Sequence, residues 1–262
     1  MHADDFFTIG NSHVICDDYA TSRADGPIRA VVSDGCSGSP NTDCGSRILA
    51  NLALRNPNWS IQEADDVRRQ LFLPVDSLDA TLLIAEVDSS YITVSAYGDG
   101  VIAAQGKDGV ITAWEIHFTS GAPLYPAYDL SVARWDGYLK AYPGERIVRG
   151  HRSGIPTVEL DYRDTGTLRP TVGYRTSFST VEYDLVAVMT DGATQFVRKT
   201  ASETSRTTTP VPLLDIVTPL MNPASPHGVF VRRRVTAQLK RWAAEGIYPT
   251  DDFAMAAIWC GE

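Results

Sequence analysis

Three acids stand at positions where their side chains could hold a divalent metal ion. Asp34 and Asp191 each follow a short apolar run and precede a glycine, and Asp251 comes just before another apolar run. If these runs are antiparallel strands, the end of one lies beside the start of its neighbour, so we expect the three carboxylates to meet at one sheet edge. Carboxylates, a backbone carbonyl and water are the ligands that Mg²⁺ and Mn²⁺ prefer. Asp-Gly is also ordinary turn chemistry, but three such acids, with Asp17 and Asp18 ahead of them, favour a metal site.

The acids belong to five short motifs that follow one another in a fixed order. The motifs are SHVICDDYA around Asp18, VVSDGCSG around Asp34, YGDG around Asp99, MTDGAT around Asp191 and DDFAMAAI around Asp251. This series resembles the metal-dependent protein phosphatases of type 2C (the PPM family), particularly their bacterial branch, and the resemblance spans residues 10–259. It implies an α+β fold in which two antiparallel sheets, flanked by helix pairs, form a four-layer α-β-β-α sandwich.

The resemblance also implies a role for each motif residue. Asp34 would bridge two Mg²⁺ or Mn²⁺ ions, while Asp191 and Asp251 would complete the protein ligands of the first ion. The carbonyl of Gly35 would help to hold the second ion, and Asp18 would hold metal-bound water. The implied reaction is attack on phosphorus by a hydroxide that bridges the two ions, with no phosphoenzyme. The implied substrate is a protein phosphorylated on serine or threonine, with a kinase as the opposing enzyme.

Three residues depart from the family pattern around this site. His13 stands where many members carry an Arg that clamps the substrate phosphate; a protonated His can bond phosphate but lacks the bidentate fork, and packing at a strand end is an equal alternative. Cys36 stands where some members carry a His proposed as the general acid. Gln195 replaces the usual partner of Asp99 at a third ion, so a third ion is expected to be weak or absent.

These departures leave two other functions open. One is a catalytically weak or inactive pseudo-phosphatase that acts as a binding or regulatory module. The other is a phosphatase whose substrate is a small phosphorylated molecule, because the segment 119–180, which would shape the entrance, gives no clear pattern. A zinc site is a further alternative that we disfavour, since the spacing of its ligands does not fit the paired-knuckle pattern. Its four candidate ligands are His13, Cys16, Cys36 and Cys44.

Composition narrows the class of protein further. The chain has 262 residues and a formal net charge of −9, which argues against a general nucleic-acid or anionic-membrane binder. No run is long and apolar enough for a membrane span, and the start of the sequence lacks the features of a secretory signal. We therefore expect a cytoplasmic protein with a single domain over residues 1–262 and reduced thiols. The basic residues Arg232, Arg233, Arg234, Lys240 and Arg241 are expected on the solvated face of a helix.

The elements that must position the acids are strands and helix pairs. Apolar residues at helical spacing predict helices over 45–55, 61–71, 131–142, 212–221 and 230–244. Apolar and β-branched runs predict strands over 29–33, 80–87, 91–97, 101–105, 109–118, 157–162, 171–179, 184–190 and 253–259. Turns at 88–90 and 98–100 predict one antiparallel meander from 80 to 118. The polar residues 199–210 predict a mobile loop, and Ser60 with Glu63 predicts a capping box at the second helix.

Overall fold

The computed structural model describes residues 1–142, 146–152, 155–160, 173–201 and 206–261. In this part of the chain the strands are β1 (His2–Thr8), β2 (Tyr19–Arg23), β3 (Arg29–Ser33), β4 (Leu82–Asp88), β5 (Tyr91–Tyr97), β6 (Gly100–Gly106), β7 (Ile111–Phe118), β8 (Arg146–Arg152), β9 (Ile155–Leu160), β10 (Tyr174–Ser179), β11 (Tyr183–Met189), β12 (Phe196–Ala201), β13 (Arg206–Pro210), β14 (Ile247–Pro249) and β15 (Phe253–Trp259). The α-helices are α1 (Thr42–Arg55), α2 (Ile61–Gln70), α3 (Val132–Ala141), α4 (Leu213–Leu220) and α5 (Phe230–Ala244).

The strands form three antiparallel sheets. The largest has seven strands in the order β1-β15-β11-β6-β7-β8-β9, and the second has five in the order β10-β5-β4-β3-β2. A small third sheet, β13-β12-β14, was not predicted. The α+β class is confirmed. Among the described residues, no helix combines the length and the apolar character that crossing a membrane requires.

The two large sheets pack face to face, and their alternating side chains explain why β11 has an almost continuous apolar sequence. Val186 and Val188 of β11 join Val32 and Leu83 of the five-stranded sheet in one buried cluster. Leu185, Ala187 and Met189 point to the opposite face, where they pack with residues of α4 and α5. A strand buried on both faces needs apolar residues at every position.

Helices cover the outer face of each large sheet. Ile48, Leu49 and Ile61 of α1 and α2 pack against Val31 and Ile84 of the five-stranded sheet. The predicted capping box at α2 is confirmed: Ser60 N donates to Glu63 Oε2 at 2.9 Å, and Glu63 N donates to Ser60 Oγ at 3.3 Å. It satisfies backbone donors that the first helical turn leaves free.

The second helix pair is equally well predicted from its apolar stripe. The bounds of α5 are those expected, and Val231, Val235 and Trp242 are buried against the seven-stranded sheet, with Leu239 partly buried. The stripe therefore fixes which face of α5 meets the sheet and leaves the remaining faces to polar and basic side chains.

The meander prediction for residues 80–118 is wrong at 98–100. β5 belongs to the five-stranded sheet and β6 to the seven-stranded sheet, so the chain crosses between sheets at Asp99. Gly98 has φ +90°, and a Cβ there would lie 2.7 Å from Thr81 Cγ2. Gly98 allows the chain to cross tightly from one sheet to the other. The sequence Gly-Asp-Gly is also typical of a hairpin turn, so the local sequence does not distinguish the two structures.

The mobile-loop prediction for 199–210 is also wrong within the described residues. Residues of β12 pair with β13, from Val197 opposite Pro210 to Ala201 opposite Arg206. Thr200 Oγ1 and Thr207 Oγ1 lie 2.9 Å apart across this pair. The run is polar, but threonine is β-branched and suits a strand. Residues 202–205 lie outside the described residues.

The middle segment contains more regular structure than its sequence indicates. The predicted helix is confirmed as α3, and β10 confirms most of the strand predicted over 171–179. The strand predicted over 157–162 overlaps β9, and β8 was not predicted. Residues 161–162 and 171–172 of the two predicted strands lie outside the described residues.

Candidate metal centre

The structure brings the motif acids to the facing ends of the two large sheets. β11 and β15 pair antiparallel with Met189 opposite Met255, so Asp191 after β11 and Asp251 before β15 lie at the same end. Asp34 follows β3, which belongs to the other sheet. The expectation that all three acids meet at the edge of one sheet is therefore wrong, because they converge from two sheets that pack on each other.

A very close backbone approach holds the Asp191 turn against the segment that carries Asp251. A Cβ placed on Gly192 would lie 1.8 Å from the carbonyl oxygen of Asp252. No side chain fits in that space, so the glycine after Asp191 is a steric requirement of the site. This turn is a short 3₁₀ segment, Asp191–Thr194, in which the Thr194 hydroxyl donates to the Asp191 carbonyl oxygen at 2.8 Å.

Thr190 links the two sheets at the site, and sequence reasoning missed this residue. Its hydroxyl donates to Asp18 Oδ2 at 2.6 Å and accepts from Ala254 N at 2.9 Å. Thr190 and Asp18 are both buried, at 0% and 2% exposure. The hydroxyl thus fixes the carboxylate of Asp18, which precedes β2, to the sheet that carries Asp191. The signal in the sequence is the hydroxyl residue directly before Asp-Gly.

Asp18 and Asp34 form a hydrogen-bonded carboxyl pair. Burial raises the pKa of Asp18 well above its ordinary value, and the nearby charges of Asp191 and Asp252 raise it further. Burial, followed by the charges of Asp18, Asp191 and Asp99, likewise raises the pKa of Asp34. Because two buried carboxylates repel each other, the metal-free protein keeps a proton on this pair.

Asp191 is the electrostatic centre of the acids. Its charge contributes to the raised pKa of Asp18, Asp34, Asp99 and Asp251, in each case after or beside the effect of burial. The pKa of Asp99 rises to about 8, and its buried Oδ1 has no hydrogen-bond partner. We call these five residues the acid group: Asp18, Asp34, Asp99, Asp191 and Asp251.

No Lys or Arg among the described residues forms an ion pair with the acid group. Within the described residues, only His13, Asp17 and Asp252 place three ligand atoms within 4.8 Å of one another, and these residues lie beside the acid group. The ligand oxygens of Asp34, Asp191 and Asp251 therefore do not all lie within 4.8 Å of one another. The three carboxylates that the resemblance assigns to the first ion would have to approach one another more closely to share it. It presents carboxylate oxygens, the donors that Mg²⁺ and Mn²⁺ prefer.

The carbonyl of Gly35 is also placed as a possible ligand. Gly35 forms an isolated antiparallel bridge with Ala80, flanked by the bonds Cys36 N to Asp79 O at 2.8 Å and Thr81 N to Asp34 O at 2.8 Å. In this wide type of pair the amide and carbonyl of Gly35 turn away from Ala80. Its oxygen is therefore not used in the bridge.

His13 lies against the acids rather than in open space. Its Nε2 is 3.2 Å from Asp251 Oδ1, and its Nδ1 is 3.1 Å from Asp252 Oδ2. Burial lowers the pKa of His13, but the hydrogen bond and charge of Asp252 and the charges of Asp251 and Asp17 outweigh it, so the pKa is raised. The imidazole is thus held by two carboxylates of the chain itself.

Asp252 accepts hydrogen bonds from two backbone amides of the segment that carries His13 and Asp17. Its Oδ1 accepts from Gly10 N at 2.8 Å and its Oδ2 from Asp17 N at 2.7 Å. A carboxylate accepts at both oxygens, whereas an amide accepts at one, so Asp suits two backbone donors. His13, Asp17 and Asp252 also place one ligand atom each within 4.8 Å of one another, which makes this trio a second place where a cation could bind.

The remaining motif residues take positions beside the acid group. Gln195 Nε2 donates to Asp191 Oδ2 at 3.4 Å, so the amide faces the acid group and not a separate third site. The hydroxyl of Tyr125 is hydrogen-bonded to Cys36; burial, that bond and the charges of Asp34 and Asp99 raise its pKa. Tyr125 therefore stays protonated next to Asp34.

The cysteines do not gather into a zinc site within the described residues. All four are free, and the trio of candidate metal ligands contains none of them. Burial, with the charges of Asp252 and Asp18, raises the pKa of Cys16 to about 12. A thiol that holds its proton so firmly is a poor zinc ligand, since zinc binds the thiolate.

α3 is tied to the loop that carries Asp34. Arg134 Nη2 of α3 lies 2.6 Å from Asp79 Oδ1, and the Arg134 guanidinium packs over the ring of Tyr128. Asp79 also accepts from Ser39 Oγ at 3.0 Å, and its carbonyl accepts from Cys36 N. One carboxylate therefore connects α3 to the turn directly after Gly35.

Comparison with known proteins places the fold. No family model matches the chain, and no curated protein matches it. Solved structures do match over nearly the whole length. A bacterial serine phosphatase is 12% identical with a TM-score of 0.55, covering 100% of this chain and 98% of the other. The serine/threonine phosphatase Stp1 from Staphylococcus aureus is 12% identical with a TM-score of 0.52, covering 99% and 95%.

A third similar structure is PppA of Pseudomonas aeruginosa, described as a key regulatory component of the T6SS. It is 13% identical with a TM-score of 0.51, covering 98% of this chain and 96% of the other. At these identities the likeness concerns the fold alone. The chain has a fold like that of these bacterial phosphatases, which confirms the likeness to the PPM fold that the five motifs indicate.

Proposed function

We propose that the chain is a metal-dependent phosphomonoester hydrolase that acts on phosphoserine or phosphothreonine in proteins. The observation that carries the proposal is the acid group, whose members converge on Asp191 without a Lys or Arg partner among the described residues. Buried carboxylates that repel one another need protons or cations. Asp34, Asp191 and Asp251, with the Gly35 carbonyl, are the residues that would hold two Mg²⁺ or Mn²⁺ ions.

The residues present fit such ions. Asp99 has a buried oxygen without a partner, and the Gly35 carbonyl turns away from its bridge partner, so both offer oxygens that the fold leaves unused. Two divalent ions about 3.5–4 Å apart would activate water for attack on phosphorus and stabilise the charge of the transferring group. Gln195 beside Asp191 leaves a third ion out of the proposal.

Side chains of the protein itself would position the reacting groups. The Thr190 hydroxyl fixes Asp18 Oδ2, so the Asp18 carboxylate has one orientation at the site. Held beside Asp34 in this orientation, Asp18 would hold a water molecule at the ions. The protonated hydroxyl of Tyr125, hydrogen-bonded to Cys36, lies near Asp34 and adds no negative charge to the site.

The scaffold of this proposal is one domain over residues 1–262, built as a four-layer α-β-β-α sandwich. Three apolar clusters support it, one between the two large sheets and one on the outer face of each. The protein substrate and the cytoplasmic location belong to the proposal as well. The serine/threonine phosphatases that share the fold support the choice of a phosphoprotein over other phosphoesters.

Hydrolysis of p-nitrophenyl phosphate tests the proposal. We expect turnover with Mn²⁺, loss of turnover with EDTA, and loss in Asp34→Asn at any Mn²⁺ concentration. Asp25→Asn removes the same charge from an exposed position and should leave the rate unchanged. Turnover that ignores metal, or that survives in Asp34→Asn, contradicts the mechanism. A phosphopeptide assay then distinguishes a protein phosphatase from a phosphatase of small molecules.

A binding or regulatory module is the second candidate function. The contacts of His13 favour it, since Asp251 and Asp252 hold an imidazole at the position where phosphate would be clamped. This candidate predicts that the protein binds Mn²⁺ but hydrolyses neither p-nitrophenyl phosphate nor a phosphopeptide. Restoration of turnover by His13→Arg would show that the missing guanidinium is the reason.

A further inference from the structure

A cavity of about 440 Å³ lies beside α5, on the outer helical layer of the molecule. Its walls are the segment 223–225, which precedes the helix, and residues of α5 itself. The volume falls in the range of roughly 300–1,000 Å³ that is common for small-molecule sites. We call it the α5 pocket, and its basic lining residues are Arg233, Arg234 and Arg241.

Helical spacing explains how the pocket is built. Phe230, Arg234, Ala237 and Arg241 follow one another at intervals of four, three and four, so they share one face of α5. Phe230 is buried at the base of this face, and Arg234 and Arg241 are two turns apart. Ala237 lies between the two arginines, and its small side chain leaves the space between them open.

The guanidinium groups of Arg233 and Arg234 are held in place by carbonyl oxygens and not by acids. Arg234 Nε donates to the Pro219 carbonyl oxygen, and Arg233 Nη2 donates to the carbonyl oxygens of Ser225 and His227, the latter at 2.6 Å. Within the described ranges, no carboxylate forms an ion pair with Arg233, Arg234 or Arg241. Three positive groups therefore surround one cavity without an internal counter-charge.

This arrangement has an electrostatic cost that an anion would remove. Burial lowers the pKa of Arg234, and the charge of Arg241 lowers it further. A chain with a net charge of −9 has ample acids to neutralise three arginines, yet none of them reaches the pocket in the described structure. An exposed basic residue such as Lys240 is explained by its place on the solvated face of the helix. That explanation does not extend to Arg234, which is half-buried, lies near Arg241 and lines a cavity.

We propose that the α5 pocket binds a phosphate-bearing organic anion of about the size of a mononucleotide. The planar guanidinium presents paired donors that match phosphate oxygens, and several arginines suit a doubly charged group. The apolar surface of Pro223 and Ala224 would receive the organic part of the ligand. The site goes beyond the proposed phosphatase activity, because none of its lining residues belongs to the acid group.

Calorimetric titration of the full chain with ADP in EDTA tests the proposal, since EDTA keeps metal-bridged phosphate out of the acid group. We expect saturable binding of one ADP, weaker binding of inorganic phosphate, and none of adenosine. Arg241→Gln should weaken ADP binding by about tenfold, the usual effect of losing one charge-assisted hydrogen bond. Ala237→Leu fills the gap between the arginines and should weaken it by at least as much.

Matched variants separate this site from general charge effects and from the acid group. Lys240→Gln removes one charge from the same helix outside the pocket and should change ADP affinity less than twofold, as should Asp34→Asn. Circular dichroism checks that each variant is folded. The proposal is overturned by ADP that does not saturate, by equal losses in Lys240→Gln and Arg241→Gln, or by unchanged affinity in Ala237→Leu. Saturable binding of a poly-glutamate peptide in place of ADP would overturn it in favour of an acidic protein partner.

Discussion

The acid group and the α5 pocket both collect like charges, and the fold treats the two collections differently. The acids lie at the facing ends of the two large sheets, where burial and mutual repulsion raise the pKa of Asp18, Asp34, Asp99 and Asp251, to about 8 for Asp99. The arginines lie on an outer helix, where Arg233 and Arg241 are exposed and only Arg234 is half-buried. A carboxylate can lose its charge by taking a proton, whereas an arginine keeps its charge in proteins. A like-charged cluster can therefore be buried deeply when it is acidic, but a basic one needs solvent or an anion.

The comparison leads to opposite ligands for the two regions. The acid group calls for divalent cations and the α5 pocket for an anion, and the two share no residue. Each variant in one region is thus a control for the other. The predictions below use this independence, and each would fail if the two regions were coupled or if one of them were merely structural.

The largest expected effect is on turnover. Asp191→Asn should lower Mn²⁺-dependent hydrolysis of p-nitrophenyl phosphate by at least about 100-fold, because even partners of metal ligands cost about 10–100-fold when changed. Asp191 influences every other member of the acid group, so its loss should exceed that range. Arg241→Gln should keep the rate within twofold. Equal hydrolysis rates in Asp191→Asn and wild type would contradict the assignment of the metal ions to the acid group.

The next effect concerns the bond that joins the two sheets at the site. Thr190→Val keeps the shape of the side chain but removes the hydroxyl that donates to Asp18, so we expect a loss of roughly 10–100-fold in kcat. Thr208→Val, an exposed threonine of β13, is the matched control and should be silent. Asn substitution of Asp18 in the Thr190→Val background should cost little more, because both changes disturb one carboxylate. Additive losses would show that Thr190 acts elsewhere.

Thermal stabilisation by ligands should distinguish the two regions, because Mn²⁺ should act through the acid group and ADP through the α5 pocket. Mn²⁺ at about 100 times its dissociation constant should raise the free energy of unfolding by about 2.7 kcal/mol, and Tm by about 5–10 °C. Asp34→Asn should remove this shift, and Arg241→Gln should keep it. ADP in EDTA should give the reverse pattern. A variant that removes both shifts would indicate loss of the fold and not of a site.

The last prediction concerns the pH dependence of the metal-free protein. The pKa of Asp99 is raised from 3.8 to about 8 on folding, so the folded chain binds more protons than the unfolded chain between those values. Stability in EDTA should therefore be greatest below about pH 4 for this group and fall as pH rises towards 8. Asp99→Asn should reduce the fall in Tm, whereas Arg241→Gln should not. A Tm that rises with pH in wild type but not in Asp99→Asn would contradict the raised pKa.

The sequence predicts the elements that carry a strong apolar pattern. The strand over 184–190 and the helix over 230–244 were found because one is buried on both faces and the other on one stripe. β8 was missed because its only apolar pair, Ile147 and Val148, is short and is flanked by Arg146 and Arg149. The crossing at Asp99 was misread because the local turn chemistry of Gly-Asp-Gly does not specify which strand the chain will join next.

From the sequence, the site could be predicted only as a set of acids that belong to motifs in a fixed order. Asp18, Asp34, Asp191 and Asp251 were identified from their motifs, and their convergence on Asp191 is a property of two packed sheets. The Thr190 bond to Asp18 joins residues 172 positions apart, and the bond from Gly10 to Asp252 spans 242. Contacts over such separations depend on the packing of distant strands, which no local pattern encodes. The α5 pocket likewise depends on where the 223–225 segment lies.

The stoichiometry of Mn²⁺ binding tests the central claim most directly. Isothermal titration of the EDTA-treated, dialysed protein should give two Mn²⁺ ions per chain. Asp34→Asn, which changes the proposed bridging ligand, should abolish tight binding of both, and Asp191→Asn should abolish binding of the first. His13→Ala should leave the stoichiometry at two, since the trio that includes His13 lies outside the acid group. A single ion that persists in Asp34→Asn and disappears in His13→Ala would contradict the account and would assign the cation to His13, Asp17 and Asp252.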